Sequence, residues 1–169
     1  YDGRNILVKE DKEITFPTFG MLENETELTY LFSIDKTAFY LGEKSLAEKV
    51  EGFEWKDIQI YRNASPKCLG FALITGWQLY RWYDTRKFCG RCGNTMEKDA
   101  KERMMKCLVC GLMEFPKICP AVIIGVTHGN KILMSKYAGR EYTRYALLAG
   151  FMEIGETPEE TVKREVMEE

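Results

Sequence analysis

Residues 150–169 read G-F-M-E-I-G-E-T-P-E-E-T-V-K-R-E-V-M-E-E, and this stretch decides how the rest of the chain is interpreted. Thr157-Pro158-Glu159-Glu160 sets a proline at the first helical position within a capping-box pair, Thr157 and Glu160, which predicts a helix starting there. At about 100° per residue, Val162 and Val166 share a face, and Glu165 and Glu169 lie within about 60° of Val162. Carboxylates thus encroach on the apolar side. Glu165 also stands three and four residues before Glu168 and Glu169, spacings at which like charges destabilise a helix. A hard divalent ion, magnesium or manganese, is the simplest compensating charge, because such ions bind one or two carboxylates while sharing the oxygens of a phosphorylated substrate. The plainer reading of an E-x-x-E-E run is a solvated acidic face.

The chain has 169 residues, 45% of them hydrophobic, enough for one large domain or two small ones with a packed core. A net charge of -2 gives no basic excess of the kind expected for nucleic-acid binding, although it is compatible with a local basic patch. No apolar run approaches the roughly 18 residues of a membrane span, and no charged and apolar leader opens the sequence. The expectation is no membrane partner and a cytoplasmic location, with Tyr1 leaving open what precedes it.

From the start of the chain, residues 5–9, 14–19, 28–34 and 37–41 are short β-branched and aromatic segments separated by charged or glycine-bearing turns, the pattern of strands. Ser45-Leu46-Ala47-Glu48 is a second capping-box signature and predicts a short helix. Ser65-Pro66 offers an N-cap and a first-turn proline for a helix to Tyr83. Cys68, Phe71, Ala72, Thr75, Leu79 and Trp82 line one of its faces, and Leu69, Leu73, Trp77 and Tyr80 line another. A helix apolar on two sides is sandwiched, so it reads as the connector between the β-rich region and the module on its C-terminal side. Gly76 inside it points to close packing.

Cys89-Gly90-Arg91-Cys92 and Cys107-Leu108-Val109-Cys110 are two C-x2-C pairs separated by fourteen residues, each followed by glycine, Gly93 and Gly111. The two-residue gap lets both sulfurs of a knuckle reach one ion, and glycine allows the tight backbone turn. Four thiolates close a tetrahedral zinc site with no open position, so Zn2+ on Cys89, Cys92, Cys107 and Cys110 is structural and contributes ~10–16 kcal/mol toward folding. Two disulfides or a redox pair compete with this reading; the paired spacing and the lack of an export signal count against both. Arg91, Lys98, Lys101, Arg103 and Lys106 interleave with Glu97, Asp99 and Glu102, which reads as a solvated mixed-charge hairpin in preference to a nucleic-acid surface. Cys68 and Cys119 read as small apolar residues.

Beyond the cysteines, residues 121–127 form an apolar run expected to be a strand buried on both faces, His128-Gly129-Asn130 a turn, and residues 131–135 the partner strand. The single histidine, His128, is expected in solvent without a chemical role. Lys136, Arg140 and Arg144 precede a third strand, residues 145–149, and stand where phosphate could be met.

Gly150, five residues, Glu156, seven residues and then Arg164-Glu165-Val166-x-Glu168-Glu169 resembles the Nudix box, G-x5-E-x7-R-E-U-x-E-E-x-G-U with U aliphatic, at all seven specified positions up to Glu169. The last three positions of the box lie beyond Glu169, so the reading is of a fragment or an incomplete domain. A narrower likeness comes from R-x-F-C-x-x-C-G at residues 86–93, then C-x-x-C-G, an aromatic-Pro-basic-x-x-Pro segment at 115–120, and L-A-G-F entering the box. This order resembles the NADH pyrophosphatase family of Nudix hydrolases, with Phe115-Pro116-Lys117 where the family has Tyr-Pro-Arg.

That resemblance implies hydrolysis of the pyrophosphate of NADH or NAD to nicotinamide mononucleotide and AMP, with NAD-capped RNA or another nucleoside diphosphate derivative as the alternative substrate. It implies catalytic roles for Glu156, Arg164, Glu165, Glu168 and Glu169: Mg2+ or Mn2+ on Glu165, Glu168 and Glu169, Arg164 bracing the cluster, Glu156 supporting the loop or, as an alternative, the metals as well, and Gly150 permitting a backbone turn near the ions. It also implies a homodimer. The fold class expected is α+β: a β-rich N-terminal domain over residues 1–64, a linking helix over 65–84, a four-cysteine zinc ribbon over 85–114, and the first part of a Nudix α/β/α sandwich over 115–169. A reading of another class is a zinc-ribbon module that binds RNA or protein and carries a vestigial Nudix part.

Overall fold

A computed structural model of the chain describes residues 1–22, 27–139 and 143–169; Arg140 lies outside the described residues. The architecture is α+β and strand-rich, and it divides into two units, Tyr1–Pro116 and Lys117–Glu169.

In the first unit, β1 (Asn5–Glu10) is the central strand of an antiparallel sheet, flanked by β2 (Ile14–Thr15) and, across the other edge, by β5 (Glu54–Asp57). Two strands, β3 (Thr29–Ile34) and β4 (Thr37–Leu41), form a separate hairpin that turns at Asp35, held at φ 51°. The period-2 alternation of β1 sends Ile6 and Val8 inward, where Ile14, Ile58, Ala64 and Leu73 complete a buried cluster. Leu73 belongs to α1 (Lys67–Thr85), whose first half is further pinned by the Tyr1 hydroxyl donating to Leu73 O at 2.8 Å and Trp77 Nε1 donating to Gly3 O at 2.9 Å.

The other end of α1 places Trp82 in a second cluster with Cys89, Met96, Met105 and Cys107, so one helix serves two cores. That second cluster is wrapped by a three-stranded antiparallel sheet, β6 (Glu97–Lys98), β7 (Met105–Lys106) and β8 (Met113–Glu114). Lys98 Nζ donates to Thr29 Oγ1 at 2.7 Å and the Arg103 guanidinium donates to Leu31 O, tying the ribbon to β3.

Several local expectations are corrected. Pro66, not Ser65, is the N-cap of α1, because its extended backbone (ψ 158°) lies outside the helix and no side chain caps it. The buried line of α1 is Gly70, Ala72, Leu73, Gly76, Leu79 and Trp82, whereas Phe71 is 62% exposed and Cys68 and Cys119 are exposed. Glycine is used for contact: a Cβ on Gly70 would stand 2.9 Å from Tyr61 O, and one on Gly76 would strike the Tyr1 hydroxyl. The Ser45–Glu48 signature yields a 3₁₀ stretch, Lys44–Lys49, whose N-cap is Glu43 and which lacks a side-chain cap.

In the second unit, β9 (Ala121–Ile124), β10 (Thr127–His128), β11 (Lys131–Ile132) and β12 (Leu148–Phe151) precede α2 (Pro158–Glu168). The run expected to be one strand over 121–127 is split at Gly125. Its first part pairs antiparallel with β12, Leu148 opposite Ile124 and Phe151 opposite Ala121. Only one face is covered, by α2, so Ile124 is buried while Ile123 is 76% exposed. The partner of β11 is β10, and His128 is in that ladder opposite Lys131, exposed, with Gly129 (φ 58°) in the turn. Among the described residues no helix is long and apolar enough to cross a membrane.

Candidate functional site: a cysteine cluster and an acidic helix

Two clusters carry chemistry. The first is built by two matching knuckles. Gly93 N–H donates to Cys89 O and Gly111 N–H to Cys107 O, both at 2.9 Å, and both glycines sit at φ 75°, where an L side chain would be strained. The four Sγ atoms of Cys89, Cys92, Cys107 and Cys110 lie within 4.8 Å of one another. Cys89 and Cys110, and Cys92 and Cys107, approach to 3.5 Å. A disulfide would need about 2.05 Å; a tetrahedron with Zn–S bonds of about 2.3 Å has sulfurs about 3.8 Å apart. The donor set and its spacing therefore fit zinc.

The thiols of the cluster differ in their electrostatics. Hydrogen bonds from the Asn94 side chain and backbone bring the Cys92 thiol down to about 6. A Leu112 backbone N–H favours the Cys110 thiolate, but burial and the three neighbouring sulfurs outweigh it and push that thiol up to about 12. A central cation would deprotonate the whole set.

The second cluster is built by β12, the loop after it and α2. Thr157 caps α2 reciprocally: its N–H donates to Glu160 Oε2 at 2.8 Å, and Glu160 N–H donates to Thr157 Oγ1 at 3.2 Å, as the T-P-E-E signature predicts. The helix does not bury its valines. Thr161 and Glu165 are its buried residues, while Val166 is 36% exposed, because the Thr161/Glu165 face is the one that lies on β9 and β12. Gly150 is where that face comes closest: a Cβ there would overlap the Glu165 carboxylate. Gly150 sits in β12 and not in a turn, so the glycine supplies clearance and not unusual backbone conformation.

Arg164 organises the carboxylates. Its Nε donates to Glu156 Oε1 at 2.6 Å and its Nη2 to Glu156 Oε2 at 2.9 Å, a bidentate pairing. Nη2 also donates to Phe151 O at 3.0 Å, and Nη1 to Glu165 Oε1 at 2.8 Å and Glu168 Oε2 at 3.3 Å. Arg164, with Glu153 N–H and the Thr161 hydroxyl, holds the Glu156 carboxyl down to about 2. Glu165 is buried, Glu168 and Glu169 are exposed, and Glu169 is the C-cap, its N–H on Glu165 O at 3.1 Å. Thus Glu156, Arg164, Glu165 and Glu168 are brought together. Among the described residues only the four cysteines gather three or more ligand atoms within 4.8 Å; the carboxylates of Glu165, Glu168 and Glu169 do not. Lys136 Nζ lies over the Tyr145 ring at 5.7 Å, and Arg144 is exposed. Sequence reasoning missed Thr161, whose only signal was a threonine inside a helix between Glu156 and Arg164.

Residues 84–115 match the NADH pyrophosphatase zinc ribbon domain, and residues 117–169 match the NUDIX domain. The chain is 31% identical over 173 residues to a NAD-capped RNA hydrolase NudC of Stutzerimonas stutzeri, covering 98% of this chain and 61% of the relative. It is 34% identical to the protein of the same name from Pseudomonas fluorescens strain Pf0-1 (95% of this chain, 59% of the relative) and 40% identical over 101 residues to that of Haemophilus influenzae (57% and 38%). The chain therefore spans at most 61% of the length of these relatives. Ribbon, box and helix together define a zinc-ribbon protein of the Nudix class. Within that class, the chain belongs to the NADH pyrophosphatase family of Nudix hydrolases.

Proposed function

We propose that the protein hydrolyses the pyrophosphate bond of NADH-type dinucleotides, with Mg2+ or Mn2+ at α2 and Zn2+ held structurally by Cys89, Cys92, Cys107 and Cys110. The observation that carries this is the Arg164 hub, which fixes a bank of carboxylates along one helix while leaving oxygens uncommitted. Arg164 takes Oε1 of Glu165 and Oε2 of Glu168. The second oxygen of each, with the exposed Glu169, would hold the divalent ion, and hard oxygen donors are the set such an ion takes. Glu168 and Glu169 are exposed, and the Arg164–Glu168 contact is the longest made by the guanidinium, 3.3 Å. When bound, the ion neutralises diphosphate charge and makes a water more acidic, which is most of what phosphoryl transfer needs.

The chain's own residues supply the positioning. Gly150 lets Glu165 lie flat against β12, and Arg164 keeps that carboxylate from folding away. Glu156 is a support: its two oxygens already receive four donors, two from Arg164, one from Glu153 N–H and one from Thr161. Three of the four fall on Oε2 and one on Oε1, and the bidentate Arg164 pairing engages both oxygens, which suits a structural role. This reading keeps the domain bounds 1–64, 65–84, 85–114 and 115–169, a cytoplasmic location and a homodimer, the last measurable by light scattering.

The relatives' name, NAD-capped RNA hydrolase, favours a second substrate, NAD-capped RNA, for the same chemistry. Turnover of NADH, ADP-ribose and NAD-capped RNA by the full-length protein with Mg2+ or Mn2+ separates the two. Preference for NADH supports the reading, preference for capped RNA replaces its substrate, and neglect of all three removes the enzyme.

A further inference from the structure

We infer that Thr161 is a positioning residue whose hydroxyl fixes the Glu156 carboxylate and, through it, the Arg164 guanidinium that orients Glu165 and Glu168; the inference rests on the proposed diphosphate hydrolysis. Thr161 is fully buried. Its Oγ1 lies 2.8 Å from Glu156 Oε2 and 3.1 Å from Thr157 O. A hydroxyl has one proton, and the ionised carboxylate is both the nearer and the stronger acceptor, so the proton goes to Glu156. The ordinary fate of a threonine inside a helix, donation to the carbonyl four residues back, is overridden here.

The surroundings give this bond its weight. The buried residues of the second unit, among those described, are Ile124, Leu148, Thr161 and Glu165. Two apolar and two polar side chains thus make up its interior, and the polar two are one helical turn apart on the face of α2 that meets the strands. Packing alone would be served by valine, which has the shape of threonine; a hydroxyl in that interior is costly unless it has a partner. Its partner is the carboxylate that grips Arg164 by both Nε and Nη2. Oε1 of Glu156 is tethered by Arg164 alone, whereas Oε2 is tied by three donors: Arg164 Nη2, Glu153 N–H and Thr161. Of the three donors on Oε2, Thr161 is the one whose residue is fully buried, and the carboxylate it holds sets the plane in which the guanidinium pairs. Glu165 and Glu168, both on Nη1, inherit that plane.

The test compares full-length wild type with Thr161→Ser, which keeps the hydroxyl, and Thr161→Val, which keeps the shape. Thermal midpoints, kcat and KM for dinucleotide hydrolysis and the NMR signal of Arg164 Nε–H are measured on all three. Positioning predicts that serine stays within about twofold of wild type, while valine lowers kcat about tenfold with KM unchanged, the size of one lost hydrogen bond to a charged group. The Arg164 Nε–H signal should remain sharp in the serine variant and be lost or shifted to the exchanging range in the valine variant. A valine variant equal to wild type in both readouts, or a serine variant as impaired as valine, overturns the inference in favour of packing. Should wild type hydrolyse no dinucleotide, the proposed function falls by itself. The Arg164 Nε–H comparison then decides on Thr161 alone, an unchanged signal in the valine variant overturning it.

Discussion

Arg164 has five N–H donors, and five acceptors meet them: two oxygens of Glu156, one each of Glu165 and Glu168, and Phe151 O. Lysine would keep the charge and lose the fork, so Arg164→Lys should reduce kcat while leaving the ribbon's metal content unchanged; equal kcat would show that charge alone suffices. Glu156 gives a pH prediction. Its carboxyl is held at about 2 in the folded protein, chiefly by Arg164, against about 4.3 in an unfolded chain. A depressed carboxyl contributes stability that is present above the unfolded value and lost as pH falls through the folded one. The stability difference between wild type and Glu156→Gln should thus be constant from neutrality to about pH 5 and shrink toward pH 2, read from urea unfolding at each pH. A difference independent of pH would mean that Glu156 acts by shape. At Gly150, alanine would force its Cβ into the Glu165 carboxylate, the end of a buried side chain that Arg164 holds, a clash expected to cost about 1 kcal/mol of stability. An unchanged unfolding midpoint for Gly150→Ala would contradict that packing.

At the scale of elements, α2 shows what sequence could and could not tell. Its start was legible, because a capping box and a first-turn proline are local chemistry and nothing tertiary competes with them. Its buried face was not: periodicity pointed to Val162 and Val166, but the strands beneath α2 meet Thr161 and Glu165. Gly150 is the same lesson at one position, since the need for clearance arises only when β12 and α2 are brought together. The cysteine knuckles were fully legible, because two-residue spacing and a following glycine specify the geometry by themselves. The Ser45–Glu48 signature failed for the opposite reason, being too short to hold a helix without a packed face. The ribbon strands β6 to β8 have two residues each and a core shared with the cysteines, so their folding is expected to need the metal. Chelating zinc should abolish hydrogen-exchange protection at Met105, Lys106 and Met113 while Ile6 to Val8 stay protected. Retained protection in the ribbon would show that it folds without metal.

For the whole molecule, the proposed metal sites divide between the two units by ligand hardness: the four sulfur donors lie in Tyr1–Pro116 and the proposed carboxylate donors in Lys117–Glu169. The first set has four ligands and no opening, and the second has oxygens facing outward, which is why only the second is assigned to the reaction. Glu168 is the place to test this, since it is exposed and its replacement by glutamine keeps an oxygen for Arg164 while removing the charge. The direct measurement is NADH turnover by the full-length Glu168→Gln protein across a Mg2+ titration, with zinc content and thermal midpoint measured alongside. The account predicts turnover reduced at least about 100-fold with zinc content and midpoint unchanged; turnover equal to wild type would contradict it.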